Sequence, residues 1–219
     1  MKSPRHNVSG FFIVEFAQEV IKVMNILEEN MEITREKAWD ILCEYTKSES
    51  LRKHGLGVEA CMKHFAEKLG EDVEKWRITG LLHDFDYEQN PTLPDHPQKG
   101  VAILKEMSFP EDALQAILGH AGLAERTTNL AKYLFAVDEL TGFLFAVSYV
   151  RPSKSILDVK VKSVKKKLKD KSFAAAVNRE DISQGAQELG IELDQIISEC
   201  IEGLKKEAEA VGLYGTPSE

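Results

Sequence analysis

An all-α, single-domain helical bundle is the fold this sequence predicts, and three observations carry the prediction. Apolar residues recur at three- and four-residue spacing along most of the chain, while no sustained alternation of apolar and polar residues is bounded by turn signals. Glycine and proline fall where those periodic segments end. The chain has 219 residues, 43% hydrophobic and 29% charged, which is ample for one continuous core and ordinary for a globular protein.

The elements follow in order. Phe12, Phe16, Val20, Val23 and Leu27 mark an amphipathic helix. A compact helical unit can begin near Met31, so residues 1–30 read as an appendage, 31–211 as the domain and 212–219 as a frayed tail. Thr34 opens a helix that runs to about Thr46. Leu51, Val58, Met62, Phe65 and Leu69 form the stripe of the next, which Gly70 stops. Val73, Trp76, Ile78, Leu81 and Leu82 mark a helix from Asp72 to His83. Pro91 and Pro94 break the chain into a loop, Asp86 to Asp95. Pro97 opens a helix through Met107, and Pro110 opens another that ends at His120. A long apolar helix spans Asn129 to Val150 and ends at Arg151-Pro152-Ser153. A Lys-rich amphipathic helix carries Leu157, Val161, Val164 and Leu168, and two more lie near Arg179–Leu189 and Leu193–Val211.

Composition excludes several classes. A net charge of −8 argues against general DNA binding, which needs a basic face. Three Cys without CxxC spacing favour neither a disulfide framework nor a Cys-rich zinc site, and fit a reducing, cytoplasmic setting. Phe11 to Leu27 contains Glu15, Glu19 and Lys22, so it does not span a bilayer, and it lacks the pattern of a signal peptide. The net charge conceals a contrast: residues 151–171 hold nine Lys or Arg against two Asp. The run Lys160–Lys171 reads as a solvated face, or alternatively as an electrostatic funnel for a phosphorylated substrate.

The chemistry lies in the placement of histidines. His83-Asp84 closes an otherwise apolar helix, where two adjacent polar side chains are costly to bury without partners. A metal ion is an economical partner, since imidazole and carboxylate both ligate zinc, iron, manganese or nickel; an exposed polar helix end is the alternative. His54 lies on an apolar stripe between Leu51 and Val58, and His120 ends the helix that begins near Ala113. Asp138 sits inside the most apolar helix, where an unpaired carboxylate costs several kcal/mol or takes up a proton. Its other reading is a buried Asp satisfied by a neighbouring helix.

Taken together and in order, His54, His83-Asp84, His120 and Asp138 resemble the HD superfamily of metal-dependent phosphohydrolases. The H…HD…D match is carried by His54, His83, Asp84 and Asp138, and Ile78–Asp84 is similar to that family's central helix. His96-Pro97-Gln98-Lys99-Gly100 and Leu118-Gly119-His120 resemble the two further His segments of its two-metal members. The resemblance spans about residues 50–155. It implies an HD-type bundle and two divalent ions (Fe, Mn, Zn, Ni or Mg) bridged by Asp84. His54, His83 and Asp138 would serve one ion, and His96 and His120 the other. It also implies a metal-activated water, not a protein nucleophile, attacking phosphorus in line, with Asp84 as the catalytic carboxylate. Ions about 3.5–4 Å apart suit such a displacement. One subgroup follows the HD pair with Ile-Gly-Lys; this chain follows it with Phe85-Asp86-Tyr87-Glu88, so that subgroup's cyclic-dinucleotide chemistry is not carried over.

Other positions complete the reading. At a helix N-terminus His96 is expected to stay neutral and able to ligate. Asp86 and Glu88 read as a solvated loop, the alternative being hydrogen bonds to the ligands from behind. Lys99, three residues after His96, is the first choice to hold a phosphate; Arg151 and Lys154 come second, because Arg151 lies about 20 Å beyond Asp138 along a helix. His6 and His64 stand outside the site, His64 being turned about 280° from His54 on the same helix. The expected partners are a small phosphorylated or nucleotide substrate and, through the Phe12–Leu27 stripe, a second copy of the chain; DNA and membrane are not expected. Two alternatives stay open: a di-iron oxygenase similar to inositol oxygenase, and a metal-stabilised nucleotide-binding module without catalysis.

Overall fold

Short polar side chains set where helices begin, by accepting a hydrogen bond from a backbone N–H that the first turn leaves free. In the computed structural model, which describes residues 33–216, Thr34 opens α1 (Arg35–Tyr45), Ser48 opens α2 (Glu49–Leu69) and Asp72 opens α3 (Val73–Leu82) in this way. α4 (Asp95–Glu106) and α5 (Glu111–His120) follow without a side-chain cap. Thr128 opens α6 (Asn129–Tyr149). A single 3₁₀ turn (Ile156–Asp158) precedes α7 (Val161–Leu168), Asn178 caps α8 (Arg179–Leu189), and α9 (Leu193–Lys206) closes the series. Gly70 and Gly190 stop α2 and α8 in the left-handed conformation, at φ 70° and 65°. Among the described residues there is no strand.

The chain divides into two units, Met1–Glu32 and Ile33–Glu219. The expected Phe12–Leu27 helix, the 1–30 appendage and His6 lie outside the described residues.

α2 is the central element, packed on α3, α6 and α9, while α6 also packs on α5 and α8. Val58, Cys61 and Met62 from α2, Trp76, Leu81 and Leu82 from α3, and Leu134, Leu140 and Phe143 from α6 are buried in one core. Each large side chain of this kind contributes about 1.5–3 kcal/mol when removed from water. Two glycines permit backbone contact where it matters for the site. A methyl group on Gly80 would lie 3.0 Å from the Val58 carbonyl oxygen, so the end of α3 rests directly on α2. A methyl group on Gly185 would lie 2.5 Å from the Ala136 Cα, so α8 rests directly on α6. Across α1, α2 and α3, Arg35 and Arg77 both bind the buried carboxylate of Glu59, at 2.8–3.0 Å. A buried charge of this kind needs such partners.

The structure departs from the sequence reading in three places. The Lys-rich segment is helical only from Val161, because Leu157 lies in the 3₁₀ turn. The last helix ends at Lys206, not Val211. Residues 212–216 do not fray: Leu213 is fully buried, its carbonyl accepts from Ile156 N at 2.9 Å, and Thr216 N donates to the Ser153 carbonyl at 2.8 Å. A single apolar residue after a glycine gave no periodic signal, but its burial pins residues 212–216. No described helix is long and apolar enough to cross a membrane.

Candidate metal centre

Five helices converge on a single point. His54 extends from α2, His83 caps the C-terminus of α3 with Asp84 next to it, His120 is the last residue of α5, and Asp138 lies mid-way along α6. His96 interrupts α4: its backbone is extended, at φ −85° and ψ 133°, and the regular helix resumes after it. That kink turns its imidazole inward, leaving the residue 6% exposed.

The donor atoms form two sets. His54, His83, Asp84 and Asp138 offer one ligand atom each within 4.8 Å of one another, and so do Asp84, His96 and His120. In the first, Asp138 Oδ1 lies 2.9 Å from His54 Nε2 and 3.3 Å from His83 Nε2, and the two Nε2 atoms are 3.3 Å apart. In the second, Asp84 Oδ1 lies 3.1 Å from His96 Nε2 and 3.2 Å from His120 Nε2. Asp84 belongs to both, because its other oxygen, Oδ2, lies 3.5 Å from His83 Nε2 and 3.9 Å from His54 Nε2.

Groups behind the imidazoles decide what they present. His83 Nδ1 donates to the Gly80 carbonyl at 2.8 Å, and His120 Nδ1 donates to the Ile117 carbonyl. A carbonyl can only accept, so in the neutral ring the proton sits on Nδ1 and the Nε2 lone pair faces the centre. His96 Nδ1 donates to Asp86 Oδ1 at 2.8 Å, and Asp86 Oδ2 accepts from Gly100 N at 3.1 Å. Three imidazole lone pairs aimed at shared carboxylate oxygens fit divalent-cation binding, and this donor set suits zinc, iron, manganese or nickel.

Without a cation, protons take that role. Burial alone would lower the pKa of His83, but the charges of Asp84 and Asp138 outweigh it and raise the group to about 9. His96 is likewise opposed by burial and raised to about 9 by its bonds to Asp84 and Asp86. The expectation that the helix N-terminus keeps His96 neutral is thus overridden by two carboxylates in direct contact. Burial works against the charged form of Asp84 too, yet His83, His120 and His96 hold it well below the usual carboxylate range. Asp138 is lowered in the same way by His83 and His54.

A cavity of about 520 Å³ opens over the two sets. Asp84, His96, His120 and Asp138 form its floor, and Arg126, Phe135, Glu139, Asp181 and Gln184 line one wall. The Arg126 guanidinium stacks 3.7 Å over the Phe135 ring. It binds Glu188 through Nε and Nη2, at 2.8 and 2.6 Å, and the Gly119 carbonyl through Nη1 at 2.8 Å. Burial, followed by the charge of Asp138, raises Glu139 to about 7.

The sequence reading and the structure differ over what surrounds the ligands. Lys99, Arg151 and Lys154 do not line the cavity. Lys99 is exposed and paired with Asp95 at 2.7 Å, one helical turn back on its own surface. Arg151 lies past the end of α6, and Lys154 sits in a turn with φ 49°. Asp86 is not solvated: it is 1% exposed and holds His96 from behind. Glu88 does lie on the surface, accepting from Ser48 N at 3.1 Å and from Lys47 N. His64 faces away, with Nε2 2.8 Å from Glu199. Arg126, Asp181 and Gln184 had no sequence signal, because they sit in polar stretches where spacing says nothing. Glu139 had one: it is a second carboxylate inside the most apolar helix.

The comparisons agree with this geometry. Residues 51–142 match the family model described as HD domain. Ribonuclease Y of Nitratidesulfovibrio vulgaris, strain DP4, is 32% identical over 100 residues, which is 43% of this chain and 18% of that protein. Ribonuclease Y of the Hildenborough strain matches to the same extent. The chain therefore spans under a fifth of the length of these curated relatives. No solved structure matches it significantly.

Proposed function

We propose that this protein is a metal-dependent phosphohydrolase that cleaves a phosphoester with a metal-activated water. The observation that carries the reading is the division of Asp84, whose two oxygens face two separate donor sets. His54, His83 and Asp138 would hold one ion, His96 and His120 the other, and Asp84 both. Ions bound there supply Lewis-acid polarisation of a phosphate oxygen and a water of lowered pKa. The chain's own part is to fix that arrangement. The Gly80 and Ile117 carbonyls and Asp86 orient three imidazoles. Phe135 and the neutralised Arg126–Glu188 pair form a rigid wall beside the substrate. The ribonuclease name of the relatives fits phosphoester chemistry. A cytoplasmic setting belongs to the same reading.

The test is Asp84→Ala with elemental analysis and a phosphatase and phosphodiesterase panel supplemented with Mn²⁺, Fe²⁺, Zn²⁺, Ni²⁺ or Mg²⁺. Loss of both metal and turnover is expected. Turnover retained in the variant overturns the proposal, and tightly held iron with oxygen consumption in the native protein would assign it to oxygenase chemistry instead.

A further inference from the structure

The cavity wall beyond the metal ligands is acidic, and its one cation is already spent. Among the residues lining the cavity, Arg126 is the sole Lys or Arg. Both ends of its guanidinium fork engage Glu188, and the remaining amino group also donates to the Gly119 carbonyl, so the pair is neutral and held in place. Facing the same space are Glu139 on α6 and Asp181 on α8, with the Gln184 amide one turn further along α8. The two carboxylates are bracketed by one residue: Asn178 N donates to Glu139 Oε2 at 3.1 Å and Asn178 Nδ2 donates to Asp181 Oδ2 at 2.7 Å. Each carboxylate keeps a second oxygen outside that bracket. No described lysine lines the cavity, and burial raises the pKa of Asp181 although the charge of Arg126 works to lower it.

This arrangement has consequences for what fits beside a phosphoryl group on the metal ligands. The phosphoryl charge is met by cations held at Asp84. Whatever is attached to that phosphoryl meets Glu139, Asp181 and Gln184. A second phosphate or a carboxylate there faces like charge at short range in a cavity that excludes much of the water, where Coulomb repulsion is strong. A protonated amine meets two acceptors and a complementary charge. A volume of about 520 Å³ also sets a small ligand as the occupant.

Resting on the phosphohydrolase reading, we infer that the site selects a small phosphomonoester whose other end carries a protonated amine, with Glu139, Asp181 and Gln184 as the specificity-determining residues. The inference excludes nucleoside di- and triphosphates and polyphosphates as preferred substrates, since each would put additional anions against this wall.

The experiment is a charge series at constant size on the Mn²⁺-supplemented protein. Binding is measured by calorimetry with 2-aminoethylphosphonate, propylphosphonate and phosphonoacetate, whose distal ends are cationic, neutral and anionic. Hydrolysis is measured in parallel with 2-aminoethyl phosphate, propyl phosphate and phosphoglycolate. Affinity is expected to fall in that order, by at least tenfold between the cationic and anionic ends. Asp181→Asn and Glu139→Gln, which keep the shape and most of the hydrogen bonds, are each expected to narrow the gap by threefold or more. Equal affinities, or tighter phosphonoacetate, overturn the inference whatever the hydrolysis result. Absence of hydrolysis with the binding order intact overturns the phosphohydrolase reading and leaves the selectivity standing. A native binding order that neither variant changes removes Glu139 and Asp181 as its cause and overturns the assignment.

Discussion

Gly185→Ala adds one methyl group at the crossing of α8 and α6. That methyl would lie 2.5 Å from the Ala136 Cα, 2.8 Å from its Cβ and 3.3 Å from its N. Relaxed carbon–carbon contacts are about 3.5–4.0 Å, so the helices must separate locally by about 1 Å. The obstructing atoms belong to a helix backbone, and no side-chain rotation relieves them. Overpacking of this kind costs about 1–3 kcal/mol. The displacement also has a direction that matters. Asp181 and Gln184 reach the cavity from α8, and Phe135, Asp138 and Glu139 reach it from α6. Separating the helices widens that wall while leaving His54, His83, His96 and His120 on other elements. Urea denaturation should therefore show a midpoint loss equivalent to about 1–3 kcal/mol. The charge selectivity of the cavity should weaken, while metal content stays close to that of the native protein. Stability within about 0.5 kcal/mol of native, the range of an ordinary surface change, would refute the packing argument.

Three further outcomes can be checked. Asp86→Ala leaves the buried Gly100 N–H and His96 Nδ1 without their acceptor; metal affinity measured by calorimetry should drop about 10–100-fold, and an unchanged affinity would show that Asp86 does not orient His96. Arg179 donates to the carbonyls of Leu168, Asp170, Phe173, Ala174 and Val177, so Arg179→Ala should cost about 2–3 kcal/mol and expose residues 168–178 to proteolysis, with Lys failing to restore five contacts. The third concerns pH. In the metal-free protein His83 and His96 are raised to about 9, above the ordinary value of 6.5, so their contribution to stability is complete below pH 6.5 and is lost as pH rises through about 9. A metal must displace those protons, so its affinity should rise with pH and level off above about 9. Chelator-treated protein should unfold more easily at pH 9.5 than at pH 6, and the metal-induced gain in thermal stability should run the other way.

How legible the molecule was in its sequence depended on the range of the forces involved. Helix starts at Thr34 and Asp72 follow from a side chain meeting an N–H three residues away, and the stop at Gly70 follows from one residue's backbone freedom. Those are local, and spacing reveals them. The polar residues set into apolar stripes, His54, His83-Asp84, His120 and Asp138, were conspicuous because burial of each demands a partner. Asp86 was misread since its partner, Gly100 N, lies fourteen residues away across a kink at His96. Lys99 was favoured on helical spacing, but an i,i+4 partner, Asp95, holds it at the surface.

The sequence by itself therefore determined an all-helical chain and an ordered set of polar residues that could not be buried alone. The tertiary structure decided everything about the space around them: that Asp84 faces two donor sets, that Leu213 is buried, and that Arg126 is neutralised by a glutamate 62 residues away. It also placed Glu139 and Asp181 against one Asn178. Periodicity records which side of a helix is apolar, a property of neighbouring residues. Charge pairing and cavity shape arise only when separate helices meet, and a glycine such as Gly185 shows how a contact of a few ångströms between backbones, invisible in spacing, sets that meeting.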